Sequence, residues 1–428
     1  MKKLNIAIVG LGNIGSYLYK YLNDNKKILT KKNNCLPVIK YVSAKNKIKK
    51  RKIKIKKKQW LNNFLDATKI KEVDLIVELI GGSEGPAKKL VFDALKNKKH
   101  VVTANKALIA KYGDQLSKIA EKNRVNLEFE ASVCGGVPII RSLKESLIAN
   151  KISKIYGILN GTSNYILSSM DKKSKNFQEV LSIAKKKGYA ESNPSADLDG
   201  DDVSAKLKIL SSLCFNSFIN NNIYVEGIKD IDTIDINNAN KLGYKIKLLG
   251  FAELLNNSIY QRVHPTLVKK DSYVAGIDGV LNAVIINGKP VGQNIIQGEG
   301  AGPAATTSAL ISDISSILRG NIKFPFSVSS KERKKLKFKT IEERLFSAYL
   351  RFEVVDKPGV LSNITNIFSK NKVSIKRLVQ NPYKNKKISS IIVVTHKSKN
   401  KYLIKILNEV ATKNFIKKKP KLIRIDEN

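Results

Sequence analysis

Over its first 130 residues the chain alternates short β-branched apolar runs with longer stretches whose apolar positions recur at helical spacing. Leu4–Val9, Pro37–Ser43, Asp74–Leu79, His100–Thr103 and Asn126–Glu130 read as strands, and Ile14–Asn23, Pro86–Asn97 and Leu108–Lys122 as helices. Strands that alternate with helices in this way predict a parallel, doubly wound α/β sheet of the Rossmann type. After Gly135-Gly136-Val137-Pro138 the pattern changes. A helix over Ile139–Ala149 and a strand over Ile152–Leu159 lead into an Asn-Gly-Thr-Ser-Asn turn at 160–164. Two helices flank an acidic loop, and strand-like segments follow at Ile223–Glu226, Lys245–Leu254, Ser258–Pro265 and Ala283–Asn287. This second region predicts an α+β domain. An amphipathic helix over Ala304–Leu318 follows a glycine-rich loop, residues 328–344 are charged and poor in apolar positions, and a strand over Ala348–Val354 opens a small terminal domain.

With 428 residues the chain is too long for one core and divides into two or three domains. Its longest apolar runs, such as Leu75–Ile80, fall far short of the roughly 18 residues of a membrane span. The N-terminal lysines ahead of an apolar run suggest a signal peptide, but the run is β-branched and ends in glycines without a small-residue cleavage site, so it reads as a first strand. Cys35, Cys134 and Cys214 form no disulfide framework and no CxxC pair, which fits a reducing cytoplasm. The net charge of +42 points to nucleic acid when taken alone. Lysine far outnumbers arginine, however, and the excess is diffuse, so the sequence predicts no nucleic-acid partner. The densest run, Lys45–Lys58, holds ten Lys and Arg and no acid, and reads as an edge strand or solvated loop.

Against that basic background the carboxylates of 188–213 stand out. Glu191, Asp197, Asp199, Asp201 and Asp202 crowd a loop that turns helical, with Lys206 one turn beyond Asp202 on the same face. A lysine held beside carboxylates can serve as a positioned proton donor. Histidine is the commoner donor, but His100, His264 and His396 all fall in places that suggest structural roles. Gly10-Leu11-Gly12-Asn13-Ile14-Gly15 closes the first strand and opens a helix, the context a dinucleotide fingerprint requires. No Asp or Glu follows the second strand to take a ribose 2′-hydroxyl. Lys45 and its neighbours favour a 2′-phosphate, hence NADP(H), with NAD(H) left open. Lys106 follows the fourth strand at the carboxyl edge of the sheet, where open α/β sheets bind ligands. Glu130 and the turn after it offer hard oxygen ligands suited to a small cation, although a plain domain-connecting turn explains them as well.

The segments GLGNIG, TANKALIA, EASVCGGVP, GILNGTSNYIL, GYAESNPSADLDGDDVSAKLKIL, RVHPTLV and QGEGAGPAATTSAL occur in one order over residues 4–320. In them the chain resembles the monofunctional homoserine dehydrogenases that carry a C-terminal ACT domain. The tail, with a strand, Asp356-Lys357-Pro358-Gly359-Val360-Leu361 and a helix to Ser369, resembles an ACT domain.

The resemblance implies a Rossmann domain over 1–133 completed by a helix at about 303–325, and a substrate and dimerisation domain over 134–302. A linker over 326–346 and a ferredoxin-like ACT domain over 347–428 complete it. It implies reversible reduction of L-aspartate 4-semialdehyde to L-homoserine with NAD(P)H, on the route to threonine and methionine. Lys206 would be the proton donor and Lys106 the second active-site lysine, near nicotinamide and substrate. Asp202 and Glu191 would hold the substrate, and Gly188 and Gly302 would line the cofactor–substrate junction. Glu130 with the carbonyls of Val133, Gly135 and Val137 would hold sodium, while Asp197, Asp199 and Asp201 are expected only to shape the turn and start the helix. Threonine is the implied effector, and a homodimer or homotetramer the implied assembly.

Overall fold

The computed structural model describes residues 2–173, 175–219, 221, 223–383 and 387–426. The expected terminal domain therefore includes positions 384–386 and 427–428 that lie outside the described residues.

Strands Lys2–Val9, Cys35–Ser43, Leu75–Glu78, His100–Thr103 and Leu127–Glu128 form a parallel sheet in which Lys2–Val9 lies between Cys35–Ser43 and Leu75–Glu78. Strand pleating divides the side chains between two cores. Ile6 and Ile8 face a cluster that includes Leu18, Leu22, Leu310 and Ile314, while Ala7 and Val9 join Leu90, Val91 and Leu108 on the other side. The helices Asn13–Asp24 and Pro303–Leu318 thus cover one face, and Pro86–Lys96 and Lys106–Asn123 the other. The chain reverses direction across the sheet beside Lys2–Val9, so the crevice at that strand's carboxyl end is where a dinucleotide belongs.

Among the described residues a second sheet has twelve strands. Its central members, Tyr244–Leu255 and Ser258–Lys269, form a long hairpin flanked by Lys151–Ile158 and Leu281–Lys289. The C-terminal unit has the order strand, helix, strand, strand, helix, strand, with Lys421–Asp426, Leu345–Val355, Ile388–Thr395 and Ile375–Pro382 adjacent in that sequence, the ferredoxin-like arrangement of an ACT domain. Instead of standing apart, this unit joins the second sheet. Lys421–Asp426 pairs in parallel with Ser258–Lys269, placing Arg424 opposite Thr266.

Several sequence expectations change. Ile139–Ala149 is not one α-helix: a single turn at Ile139–Arg141 gives way to a π-helical segment at Ser142–Ser146, where the Leu147 N–H donates to Ser142 O at 2.8 Å. Lys45–Lys58 forms no strand and is a solvated loop ending in a short 3-10 turn at Lys57–Gln59. The charged stretch at 328–344 is docked against the first domain, with Arg333 pairing with Asp114 at 2.6 Å and Glu121 at 3.0 Å. The helices Lys26–Asn33 and Thr233–Lys241 had no clear apolar stripe to announce them. Among the described residues no helix is long and apolar enough to cross a membrane.

Candidate active site

The glycine loop follows from packing. A Cβ on Gly10 would stand 2.4 Å from the Leu79 carbonyl oxygen, and one on Gly15 would stand 2.0 Å from that of Gly10. These two glycines let strand, loop and helix close on one another. Gly12 differs, since a Cβ there would meet nothing within 4 Å. Its need for a bare backbone comes from outside the protein, as expected where a pyrophosphate approaches a helix N-terminus. The loop therefore fits a nicotinamide dinucleotide.

Across the crevice, buried Glu78 accepts the N–H groups of Ile80 and Gly81 at 2.7 and 2.9 Å and the Thr103 hydroxyl at 2.5 Å. This ties together the carboxyl ends of the third and fourth strands. The side chain of Asn105 then caps the next helix at Leu108 N, 3.1 Å away, and donates to Gly82 O at 2.7 Å. That fixes Lys106 as the first residue of its helix, with its side chain half-exposed and aimed across the domain boundary.

On the other side stands the helix Asp201–Cys214, which starts directly after Gly200 in a left-handed conformation (φ 90°). Asp202 lies in its first turn and Lys206 one turn on, both buried. Lys206 Nζ is 2.8 Å from one Asp202 oxygen, and Lys106 Nζ is 2.7 Å from the other. Lys206 also donates to the Leu159 carbonyl at 2.7 Å. The Asn160 amide donates to Asp202 at 2.8 Å and to Asp197 at 2.7 Å, while its own oxygen accepts the Ser163 N–H at 2.8 Å.

Burial alone would raise the carboxyl of Asp202, but the ammonium groups of Lys206 and Lys106 outweigh it and hold the group well below the usual carboxylate range. Burial works against the charge on Lys206 too, and Asp202 again prevails, leaving the lysine raised. Burial pushes Asp197 upward, partly offset by Asn160. The site thus holds a carboxylate kept ionised and clamped between Lys206, which it keeps protonated, and Lys106 from across the crevice. Such a constellation can present a proton to a developing oxyanion in a nearly dry setting.

Of the residues expected from sequence, Lys106, Asp202 and Lys206 come together, and Gly10, Leu11, Gly12, Asn13, Ile14 and Gly15 form the facing loop. Glu191 is exposed and makes no hydrogen bond or ion pair with this trio. Gly188 (φ 73°) ends the helix Phe177–Lys186, and Gly302 (φ 110°) starts Pro303–Leu318. Asp199 pairs with Lys229 at 2.6 Å at the surface, and Asp201 sits in the first turn of its helix. Asp197 is more than a turn residue, because Asn160 links it to the buried trio. That link and Asn160 itself were missed, although the Asn-Gly-Thr-Ser-Asn turn marked the place.

Lys45 is exposed. Arg51 instead reaches the glycine loop, its Nε donating to Leu11 O at 3.0 Å and its guanidinium 5.6 Å from the Trp60 ring centre. The sequence did carry a signal that went unused: Arg51 is the single arginine among the nine lysines of Lys45–Lys58.

Glu130 begins a 3-10 turn, and its two carboxylate oxygens accept the N–H groups of Ile140 at 2.9 Å and Arg141 at 2.6 Å. Cys134 (φ 55°) and Gly135 (φ 43°) then turn the backbone left-handed. Burial pushes Glu130 up to about 7, against the pull of those N–H groups. The donor set of this turn, a carboxylate and backbone carbonyls, is of the hard oxygen type that a small hard ion takes, and such an ion would hold Glu130 ionised.

Residues 10–130 match the NAD-binding domain of homoserine dehydrogenase, residues 138–315 the homoserine dehydrogenase family and residues 348–412 the ACT domain. The chain is 36% identical to a homoserine dehydrogenase of Neisseria gonorrhoeae, covering 100% of this chain and 99% of that one. It is 37% identical to one of Helicobacter pylori, covering 99% of each. The chain belongs to the homoserine dehydrogenase family. Its fold agrees: the crystal structure of a homoserine dehydrogenase from Thiobacillus denitrificans aligns with a TM-score of 0.91 at 35% identity over 100% of this chain and 99% of that one. A Staphylococcus aureus homoserine dehydrogenase at pH 7.5 aligns over the whole of both chains with a TM-score of 0.78 at 34% identity. As a family member the chain is an NAD(P)-dependent oxidoreductase.

Proposed function

We propose that this protein interconverts L-aspartate 4-semialdehyde and L-homoserine, in the cytoplasm and on the route to threonine and methionine. The observation that carries the reading is the buried Asp202 carboxylate clamped between Lys206 and Lys106. The nicotinamide cofactor, when bound, supplies the hydride for the aldehyde carbon. Lys206, kept protonated by Asp202, gives its proton to the aldehyde oxygen as negative charge builds there. Asp202 stays ionised and does not carry the proton: it fixes the direction of Lys206. The Leu159 carbonyl restrains the same ammonium from a second side. Lys106, half-exposed, meets the substrate from the cofactor domain, and exposed Glu191 takes its ammonium group. Gly188 and Gly302 leave room at the junction.

NADP(H) is the preferred cofactor in this reading, with NAD(H) accepted less well. Arg51, anchored on the glycine loop, is better placed than Lys45 to meet a 2′-phosphate. Sodium would be held by Glu130 with the carbonyls of Val133, Gly135 and Val137, and would stiffen the turn that connects the two domains. The domain limits are 1–133 with the helix at about 303–325, then 134–302, 326–346 and 347–428.

Threonine would act as feedback inhibitor at the ACT turn. There Gly359 (φ 86°) starts the helix Val360–Lys370 beside a cavity of about 360 Å³ lined by Asp356, Gly359 and Gln380 among others. A homodimer or homotetramer would carry this arrangement.

The test is homoserine oxidation assayed with NADP and NAD, with and without threonine. Turnover with either cofactor supports the reaction, and the absence of turnover with both overturns it. Arg51→Gln should shrink the NADP-over-NAD preference about tenfold or more, for one lost charge-assisted contact. An unchanged ratio would remove Arg51 from this role.

A further inference from the structure

Apart from the lysine–aspartate trio, the ACT-type unit meets the central hairpin around a cavity of about 170 Å³. Its lining includes Arg262, Arg344, Arg424 and Lys397 against only Glu253 and Asp426 as carboxylates. Glu226, outside the lining, pairs with Arg424 at 3.1 Å, which still leaves cations in excess.

Arg262, from the central hairpin, is almost wholly buried. Its guanidinium stands 4.3 Å from the Phe251 ring centre and 5.2 Å from that of Phe346, so its plane is fixed. One nitrogen, Nη2, pairs with Glu253 at 3.0 Å, whereas Nε and Nη1 are buried and have no partner. Glu253 gives its other oxygen to Arg344, whose Nε is likewise buried without a partner. Arg424 is fully employed by Asn400, Glu226 and Tyr224, at 2.9, 3.1 and 3.1 Å. Buried guanidinium donors are costly to leave unmade, by more than a neutral group would be. The pKa shifts here are set first by burial, with the neighbouring cations adding to it. Burial pushes His264 well below its usual range, and Arg424 and Arg262 push it further. Burial also lowers Arg262 despite Glu253.

We propose that this junction binds a small oxyanion, a carboxylate or a phosphate group, on the spare donors of Arg262 and Arg344. Planar guanidinium forks match such groups in pairs of hydrogen bonds. The cavity is smaller than the roughly 300 Å³ at which sites for drug-sized ligands begin, so it takes the acid group itself or a short chain bearing it. Arg262 belongs to the central sheet and Arg344 to the segment entering the ACT-type unit. The bound anion therefore ties the two together at the seam where Arg424 faces Thr266.

The experiment is calorimetric titration of the full-length protein with phosphate, sulfate, acetate and succinate, each against chloride at fixed ionic strength. At least one should bind at a single saturable site. Binding of phosphate or sulfate alone identifies an inorganic anion, and binding of acetate or succinate alone identifies an organic acid. Binding by both classes identifies a general oxyanion site. Arg344→Gln should weaken this binding about tenfold or more, for the loss of one charge-assisted contact. The double variant Arg262→Gln, Glu253→Gln removes the more buried pair together, leaves Arg344 without its Glu253 partner and, having lost the two spare donors of Arg262, should bind about tenfold or more weaker than the wild type. Lys206→Ala should bind as the wild type does, which separates this site from the catalytic one. No saturable binding by any of the four anions overturns the proposal. So does wild-type affinity in Arg344→Gln, which by itself decides the matter if the double variant does not fold.

Discussion

Replacing Lys206 by alanine tests the center of the chemical argument. The substitution removes an ammonium that makes two contacts, 2.8 Å to Asp202 and 2.7 Å to the Leu159 carbonyl, in a buried place. Removing one partner of a buried ion pair commonly costs about 3–5 kcal/mol. Here Lys106 and Asn160 still neutralise and solvate Asp202, so the loss of stability should fall below that range. The catalytic loss should be larger in effect. A positioned general acid contributes about 10²–10⁴ in rate, and no second buried ammonium stands on the helix to replace it. We expect kcat for aldehyde reduction to fall by about two to four orders of magnitude. NADPH affinity, measured by fluorescence titration, should stay within about threefold, because the glycine loop lies on the other domain. Thermal unfolding of the same sample reports the structural part separately. The pH dependence adds a check. Asp202, held below its ordinary value, contributes stability that is present above the normal carboxylate range and lost only as pH falls through its depressed value. Lys206, raised, contributes stability that is lost only as pH rises beyond its ordinary value of 10.5. The pair should therefore impose no break on the wild-type pH profile near neutrality. A Lys206→Ala enzyme with kcat within about threefold of wild type, correctly folded, would refute the assignment.

Two further outcomes bear on the cation and the cofactor. Glu130, raised by burial to about 7, weakens the fold as pH climbs from its ordinary value of 4.5 through 7, by about 3 kcal/mol at most. Sodium should offset this, so the gain in Tm on replacing tetramethylammonium by sodium should be larger at pH 8 than at pH 5.5 and absent in Glu130→Gln. Equal gains at both pH values would argue against the site. Gly12→Ala should fold normally, since its Cβ enters open space, yet raise the Kd for NADPH about tenfold or more by obstructing the pyrophosphate. Unchanged cofactor affinity would show that the dinucleotide lies elsewhere.

The first domain was legible because each of its elements announces itself locally. Ile6 and Ile8 alternate with Ala7 and Val9, and the two sets do face different cores. The Asp202–Lys206 spacing placed both groups on one helical face, and their contact follows from helix geometry alone. Other features had no local signal. The π-helical segment after Arg141 is one, and so is the capping of the turn before it by Glu130, some ten residues earlier, through the N–H groups of Ile140 and Arg141. The place of Arg51 depends on how a lysine-rich loop folds back onto the glycine turn.

The sequence by itself determined the strand–helix alternation, the glycine loop and the one-turn pairing of acid and lysine. All three depend on residues within a turn or two of one another, where covalent geometry leaves few choices. Only the tertiary structure decided that Lys106 meets Asp202 from another domain, that Asn160 couples Asp197 to it, and that the ACT-type unit shares a sheet with the central hairpin. These contacts join residues tens to more than a hundred positions apart. Their geometry is set by how sheets and helices pack, which no local pattern encodes.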